Sequence, residues 1–296
     1  MASLKKVDLP NGETIAYRRR EGPGENLVLL HGNMSSSKHW DTFMEELDPR
    51  YEVYAMDMRG FGESSYNEPI NSLEDLSNDL KLFTDELGLK GFHLMGWSTG
   101  GGVAMKFAAN HPDYVEKLVL MESVGTKGYP IYRKDENGEP IPDQPLTTKE
   151  EIAQDPVQVA PILKAYEEDN KELVKQIWNN LIYTHNKPSP ERYDEYLDEI
   201  LKQRNLVDID YALVHFNISD EHNGIEEGTG EASDIDAPTL VLWGENDLVV
   251  PEEMALDIDN DIGDNADLVY LQGCGHSPLT DDLDQLLDKV ESFLHQ

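Results

Sequence analysis

Residues Gly96-Trp97-Ser98-Thr99-Gly100 lie between an apolar run, Phe92–Met95, and a stretch, Gly101–Phe107, that reads as a helix. A serine held in such a strand-to-helix reversal is a candidate nucleophile. The turn is tight, and Gly96 and Gly100 flank it without side chains that would clash. The hydroxyl then projects beside the positive end of the following helix. A neutral hydroxyl is a weak nucleophile and needs a base. Of the nine histidines, His276 stands directly after the last apolar run, in Gly273-Cys274-Gly275-His276-Ser277. The carboxyl end of a strand is where an open α/β sheet presents reactive groups. The base in turn needs a carboxylate to fix its tautomer and stabilise its charged form. Three are available near strand ends: Asp247 and Glu245, beyond Thr239–Trp243, and Glu122, which ends Leu118–Met121.

Acyl transfer also needs two N–H donors for the oxyanion. The backbone N–H of Thr99, next to the nucleophile, is one candidate. The other is Asn33, in His31-Gly32-Asn33-Met34 after Leu27–Leu30, where Gly32 lets the backbone approach a substrate. His31 reads as a brace for that loop. Trp97 either binds substrate in the acyl site or packs beneath the sheet. Cys274 reads as a structural thiol, and Asp57-Met58-Arg59-Gly60 as a structural turn. No cofactor is expected, and no metal. Asp257–Asp261 is spaced like a calcium loop, but Ile262 stands where that loop needs glycine and the closing Glu is missing. His215 and His222 lack regular ligand spacing.

The elements that must position these residues alternate. Lys5–Leu9 and Thr14–Arg18 flank Asn11-Gly12, a hairpin signal. Leu27–Leu30, Glu52–Met56, Phe92–Met95, Leu118–Met121, Thr239–Trp243 and Asp267–Leu271 read as buried strands. Between them, Trp40, Phe43, Met44 and Leu47 fit one helical face, as do Leu73, Leu76, Leu80, Phe83 and Leu87. Ser72 and Gly88 bound the second of these helices. Met254, Ile258 and Ile262 share another face, and Leu283–Phe293 a last helix. The expected fold class is α/β: an eight-stranded, mostly parallel sheet flanked by helices. Alternation stops between Met121 and Thr239. Residues 123–235 read as an inserted helical cap, helical at Val157–Tyr166, Lys171–Leu181 and Pro190–Gln203. The core domain is then 1–122 plus 236–296. Ser219–Asp236, rich in Gly and acids, is expected to be a mobile hinge or cap edge. Tyr166, Trp178, Tyr183, Tyr211 and Phe216 are expected to form mostly the cap's own core.

Composition narrows the partners. The 296 residues carry 59 Asp plus Glu against 24 Lys plus Arg, a net charge of −35. Such a surface repels nucleic acid and anionic membranes. It suits solubility in a salty cytoplasm, the habit of a halophilic or halotolerant source. No apolar run approaches the ~18 residues of a membrane span. A single cysteine forbids an internal disulfide, and the N-terminal residues lack a secretory h-region. Cytoplasmic location is the expectation. The partner expected is a small-molecule ester or polyester substrate. The sequence does not fix an oligomeric state.

The set H-G-N, D-M-R-G-F-G-E-S (Asp57–Ser64), G-W-S-T-G, G-E-N-D and G-C-G-H resembles the α/β-hydrolase superfamily. The resemblance spans the sheet domain from end to end. It implies a triad in the order Ser98, Asp247, His276, and favours Asp247 over Glu245, because members carry the acid a short turn after that strand. A closer resemblance runs through Met95–Lys106, Gln154–Ile162, Ile177–Asn205 and Asp210–Ile225. It is to the intracellular short-chain-length polyhydroxyalkanoate (polyhydroxybutyrate) depolymerases, which carry a G-W-S-x-G box. Those have Met where this chain has Thr99, which bears on the shape of the acyl site. This resemblance implies a serine esterase acting on 3-hydroxybutyrate polyester or related short-chain esters. Carbon–carbon bond hydrolases, lactonases and perhydrolases share the triad. An idle triad in a ligand-binding protein is the remaining alternative.

Overall fold

The computed structural model describes residues 2–296. Its first half alternates as expected: β1 (Ser3–Asp8), β2 (Thr14–Arg20), β3 (Asn26–Leu30), α1 (Asp41–Glu46), β4 (Glu52–Met56), α2 (Leu73–Glu86), β5 (Phe92–Trp97), α3 (Thr99–Asn110) and β6 (Val115–Met121). A second segment follows: β7 (Tyr132–Lys134), β8 (Pro140–Pro145), α4 (Lys149–Ala153), α5 (Ala160–Glu167), α6 (Lys171–Leu181), α7 (Pro190–Ile200) and α8 (Leu206–Val214). The chain then returns through β9 (Thr239–Gly244), α9 (Glu252–Ile262), β10 (Ala266–Leu271), α10 (Pro278–Asp281) and α11 (Leu283–Leu294).

The eight-stranded sheet runs β1-β2-β4-β3-β5-β6-β9-β10. β1 and β2 pair antiparallel, β2 meets β4 antiparallel, and the other neighbours are parallel. Parallel strands are covered on both faces, which is why they read as unbroken apolar runs. Val28, Leu94 and Leu118 point to one face, against Leu80 and Phe83 of α2 and Phe107 of α3. Leu29, Met95 and Val119 point to the other, against Phe43 of α1 and Leu286 and Val290 of α11. Ser72 closes a capping box with Asp75 at the start of α2, and Gly88, at φ +68°, lets the chain leave its end. Among the described residues, no helix is long and apolar enough to cross a membrane.

The inserted segment departs from the sequence reading in three ways. It is not wholly helical: β7 and β8 form a two-stranded antiparallel ribbon. It contains two additional helices, α4 and α8, and α8 packs Ile209, Ala212 and Leu213 into the same core as α2 and α3. The stretch Ser219–Asp236 is tied down rather than free. Gly230 N–H donates to Ser219 O at 2.7 Å and Ala232 N–H to Ile218 O at 2.9 Å, while Ala232 and Ile235 are buried. The acidic composition of that stretch hid the apolar residues that anchor it. The aromatics also divide: Phe216 joins the core on the α2–α3 face and Trp178 and Tyr183 the opposite one.

Candidate active site

Ser98 follows β5 at φ 54° and ψ −119°, a conformation L-residues rarely adopt. The turn is held from both sides. Ser98 N–H donates to Met121 O of β6 at 3.0 Å, and Gly101 N–H donates back to Ser98 O at 2.9 Å. The flanking glycines answer to contact. A Cβ on Gly96 would lie 2.3 Å from Gly100 O, and one on Gly100 would lie 2.5 Å from Leu30 O. The reversal therefore packs directly on β3 as well as on α3.

His276 lies in the loop between β10 and α10 and is 3% exposed. Its Nδ1–H donates to Asp247 Oδ2 at 2.8 Å, which leaves Nε2 as the acceptor. Asp247 is fixed by two further donors, the N–H groups of Val249 (2.7 Å) and Val250 (3.0 Å), both to Oδ1. Burial raises the Asp247 carboxyl, but the His276 charge and the hydrogen bonds it receives outweigh that and hold it below the usual carboxylate range. No direct hydrogen bond joins Ser98 Oγ to His276 Nε2 among the described residues. Such contacts are often long without substrate and tighten in the complex.

The structure brings Ser98, Thr99, Asn33, Trp97 and His276 to one cavity of about 540 Å³. Thr99 is the first residue of α3, where backbone N–H groups lack helical partners. Met34 N–H is occupied, donating to Asn33 Oδ1 (3.0 Å) and Gln203 Oε1 (3.1 Å). The N–H groups of Asn33 and Thr99 have no acceptor among the described residues. His31 is a brace: it is fully buried, with Met58 N–H donating to its Nε2 at 3.1 Å. Burial lowers its pKa to about 4, so it stays neutral. Asp57 caps two backbone N–H groups, of Ser37 and Glu63, and Arg59 forks onto Asp79. Cys274 is buried, and burial with nearby acids pushes its thiol up to about 12, too high for a nucleophile.

Three further residues shape the site. Trp97 Nε1–H donates to His276 O at 2.9 Å, so the indole both lines the cavity and anchors the histidine loop. Glu122, at φ 46° and fully buried, accepts from Gly244 N–H at 2.8 and 2.9 Å. Burial, then the Asp247 charge, raises the Glu122 carboxyl well above the usual range. Its place at a strand end was visible in the sequence, its burial beside Asp247 was not. Asp210, on α8, accepts from Asn33 Nδ2 at 3.1 Å, and burial pushes its carboxyl up to about 7. Only the fold reveals that contact, across more than half the chain.

The remaining cavity wall is mostly apolar, with Val124, Ile131, Ile162, Leu173, Leu213 and Val250 among its residues and Gln158 and Asn180 as polar members. No Lys or Arg lines it among the described residues.

Known proteins are similar to this chain over most of its length. The chain is 27% identical over 277 residues to a 2-hydroxy-6-oxononadienedioate/2-hydroxy-6-oxononatrienedioate hydrolase of Klebsiella pneumoniae, covering 91% of this chain and 87% of that protein. The enzyme of the same name from Paraburkholderia phymatum is 27% identical over 305 residues, covering 100% and 96%. Among solved structures, an esterase from Exiguobacterium antarcticum superposes with a TM-score of 0.74 at 20% identity, covering 99% of both chains. The enol-lactonase from Burkholderia xenovorans gives 0.73 at 17% identity, covering 99% of this chain and 100% of that one. A family model described as the alpha/beta hydrolase fold matches residues 25–283, a span that takes in the serine turn, Glu122, Asp210, Asp247 and the histidine loop, and the chain belongs to that family.

Proposed function

We propose that this protein is a serine hydrolase that cleaves uncharged carboxylic esters with short acyl groups. One observation carries the reading: a strained serine, a histidine already hydrogen-bonded to a buried aspartate, and two unengaged backbone N–H groups share one apolar cavity. Ser98 Oγ attacks the ester carbonyl carbon as its proton passes to His276 Nε2. The N–H groups of Asn33 and Thr99 hold the oxyanion. Asp247 stabilises the imidazolium. The tetrahedral intermediate collapses, and the alcohol leaves with the proton from His276. Water, deprotonated by His276, then attacks the acyl-enzyme; the acid leaves and Ser98 regains its proton. Residues 123–235 serve as the cap, since α5, α6 and α8 all contribute to the cavity wall.

Charge guides the choice of substrate. The related hydrolases of Klebsiella and Paraburkholderia are named for dioates, which are dianions. A dianion in this cavity would meet no Lys or Arg and would sit beside Asp210, in a protein of net charge −35. Burying unpaired charge is costly, so the cavity favours neutral esters. Within that class, 3-hydroxybutyrate oligomers or polyester chain ends fit the resemblance of the cap sequence. Carbon–carbon cleavage is the second reading, favoured by those relatives.

A substrate panel tests both. Wild type and Ser98→Ala are given p-nitrophenyl acetate and butyrate, amorphous polyhydroxybutyrate granules and a 2-hydroxy-6-oxo-dienedioate. We expect ester turnover that falls by about 10⁴-fold or more in Ser98→Ala. Release of 3-hydroxybutyrate from granules identifies a depolymerase; turnover of soluble esters alone removes that assignment. Faster turnover of the dioate than of any ester overturns the ester reading. Near-normal turnover by Ser98→Ala overturns the site.

A further inference from the structure

The opposite end of the sheet holds a second cluster that the ester chemistry does not use. Glu25 precedes β3, His93 is the second residue of β5, and Glu116 the second of β6. Five residues of strand separate His93 from Ser98, about 16 Å. His93 is 2% exposed, and neither ring nitrogen has a hydrogen-bond partner. Its Nε2 faces Glu25 Oε2 at 3.5 Å, beyond a normal hydrogen bond. One carboxylate oxygen from each glutamate and one imidazole nitrogen lie within 4.8 Å of one another. These three residues line a cavity of about 390 Å³ that opens to solvent, where both glutamates are exposed.

The local charge is unbalanced. The nearest cations are engaged elsewhere: Lys117 Nζ donates to Phe293 O and Leu294 O at 2.8 and 3.1 Å, and Arg50 Nε to Asp48 Oδ2 at 2.9 Å. Neither glutamate has a Lys or Arg partner among the described residues. A buried imidazole with both ring nitrogens unpartnered, facing two carboxylates, is a donor set.

We propose that Glu25, His93 and Glu116 form a site for a divalent first-row transition ion of the Zn²⁺ type. Mixed imidazole and carboxylate donors suit such ions, whereas Mg²⁺ and Ca²⁺ favour oxygen alone. Metal–donor bonds of about 2.0–2.2 Å require the donors to draw together, and the two exposed glutamates are free to rotate inward. Water completes the coordination. The ion ties the starts of three neighbouring strands, so its role is structural. Sequence offered no motif because positions 25, 93 and 116 meet only across the sheet.

The test uses the full chain, stripped with chelator and titrated with ZnCl₂ by calorimetry and thermal melting. We expect one ion per chain, a melting temperature that rises with Zn²⁺ and not with equal MgCl₂, and affinity at least about tenfold weaker in Glu116→Gln and Glu25→Gln. Turnover of p-nitrophenyl butyrate by both variants should match wild type. Co²⁺ should give a visible absorption band in wild type that both variants lose. Equal Zn²⁺ affinity in wild type and both variants overturns the site, as does stabilisation by Mg²⁺ equal to that by Zn²⁺, the signature of a diffuse acidic surface. If His93→Gln fails to fold, the two surface variants still decide.

Discussion

At Ser98 a positive φ coincides with the hydroxyl proposed as the nucleophile. A non-glycine residue in that conformation costs about 1–3 kcal/mol, which the contacts to β6 and α3 hold in place. Ser98→Gly should therefore be inactive yet more stable than wild type by about 1 kcal/mol, read from urea unfolding. A less stable glycine variant would mean that the turn is not strained. Glu122 allows a second prediction. Its folded pKa is raised, so the stability it contributes is fully present below its unfolded value of 4.5 and declines as pH rises toward the folded value. Asp247 acts oppositely: its lowered pKa contributes stability above 3.8 that is lost as pH falls. Glu122→Gln keeps an acceptor for Gly244 N–H and removes the charge that ionisation would place beside Asp247. It should retain most of kcat and flatten the decline of stability on the alkaline side. Glu122→Ala leaves that N–H buried without a partner and should cost about 1–3 kcal/mol. Urea melts from pH 5 to 9 separate the two; equal slopes in wild type and Glu122→Gln would show that Glu122 ionises normally.

The elements that carry the candidate site depend on one another through few bonds. Trp97, at the end of β5, reaches the loop after β10 through its indole N–H. Trp97→Phe keeps the ring and removes that donor. We expect a loss of about 1 kcal/mol of stability and a drop of about tenfold or more in kcat, with KM nearly unchanged. A change confined to KM would make Trp97 a wall of the acyl site and nothing more. The same elements show what sequence could convey. Buried parallel strands are continuous apolar runs, so β3 to β6, β9 and β10 were legible, as was the serine turn. Polar-faced elements were not. β8 carries Pro140, Asp143 and Pro145 and has no strand pattern. α8 is only nine residues long and sets Asp208 and Asp210 among its apolar residues, too short and too interrupted to reveal a period. The Trp97 and Glu122 contacts are long-range hydrogen bonds, which no local pattern encodes.

For the whole molecule the dominant quantity is the net charge of −35. Most ion pairs on the surface are exposed and worth about 0–1 kcal/mol each, so screening them loses little. Screening the self-repulsion of 59 acids gains more, since the Debye length shrinks from about 10 Å at 0.1 M to 3 Å at 1 M. The melting temperature should rise as KCl increases from 0.05 to 1 M; a fall would mean that the ion pairs outweigh the repulsion.

The shared burial of α8 bears on how such a fold can be re-engineered. Ile209 and Leu213 sit in one core with Leu80 and Phe107, while Leu206 and Val214 of the same helix serve the small cluster of Ile152 and Ile162. One helix thus belongs to two hydrophobic interiors. The segment between β6 and β9 is therefore no cassette. Cutting it out would open the enzyme's foundation along with its roof, and grafting a foreign lid requires keeping α8 as the keystone.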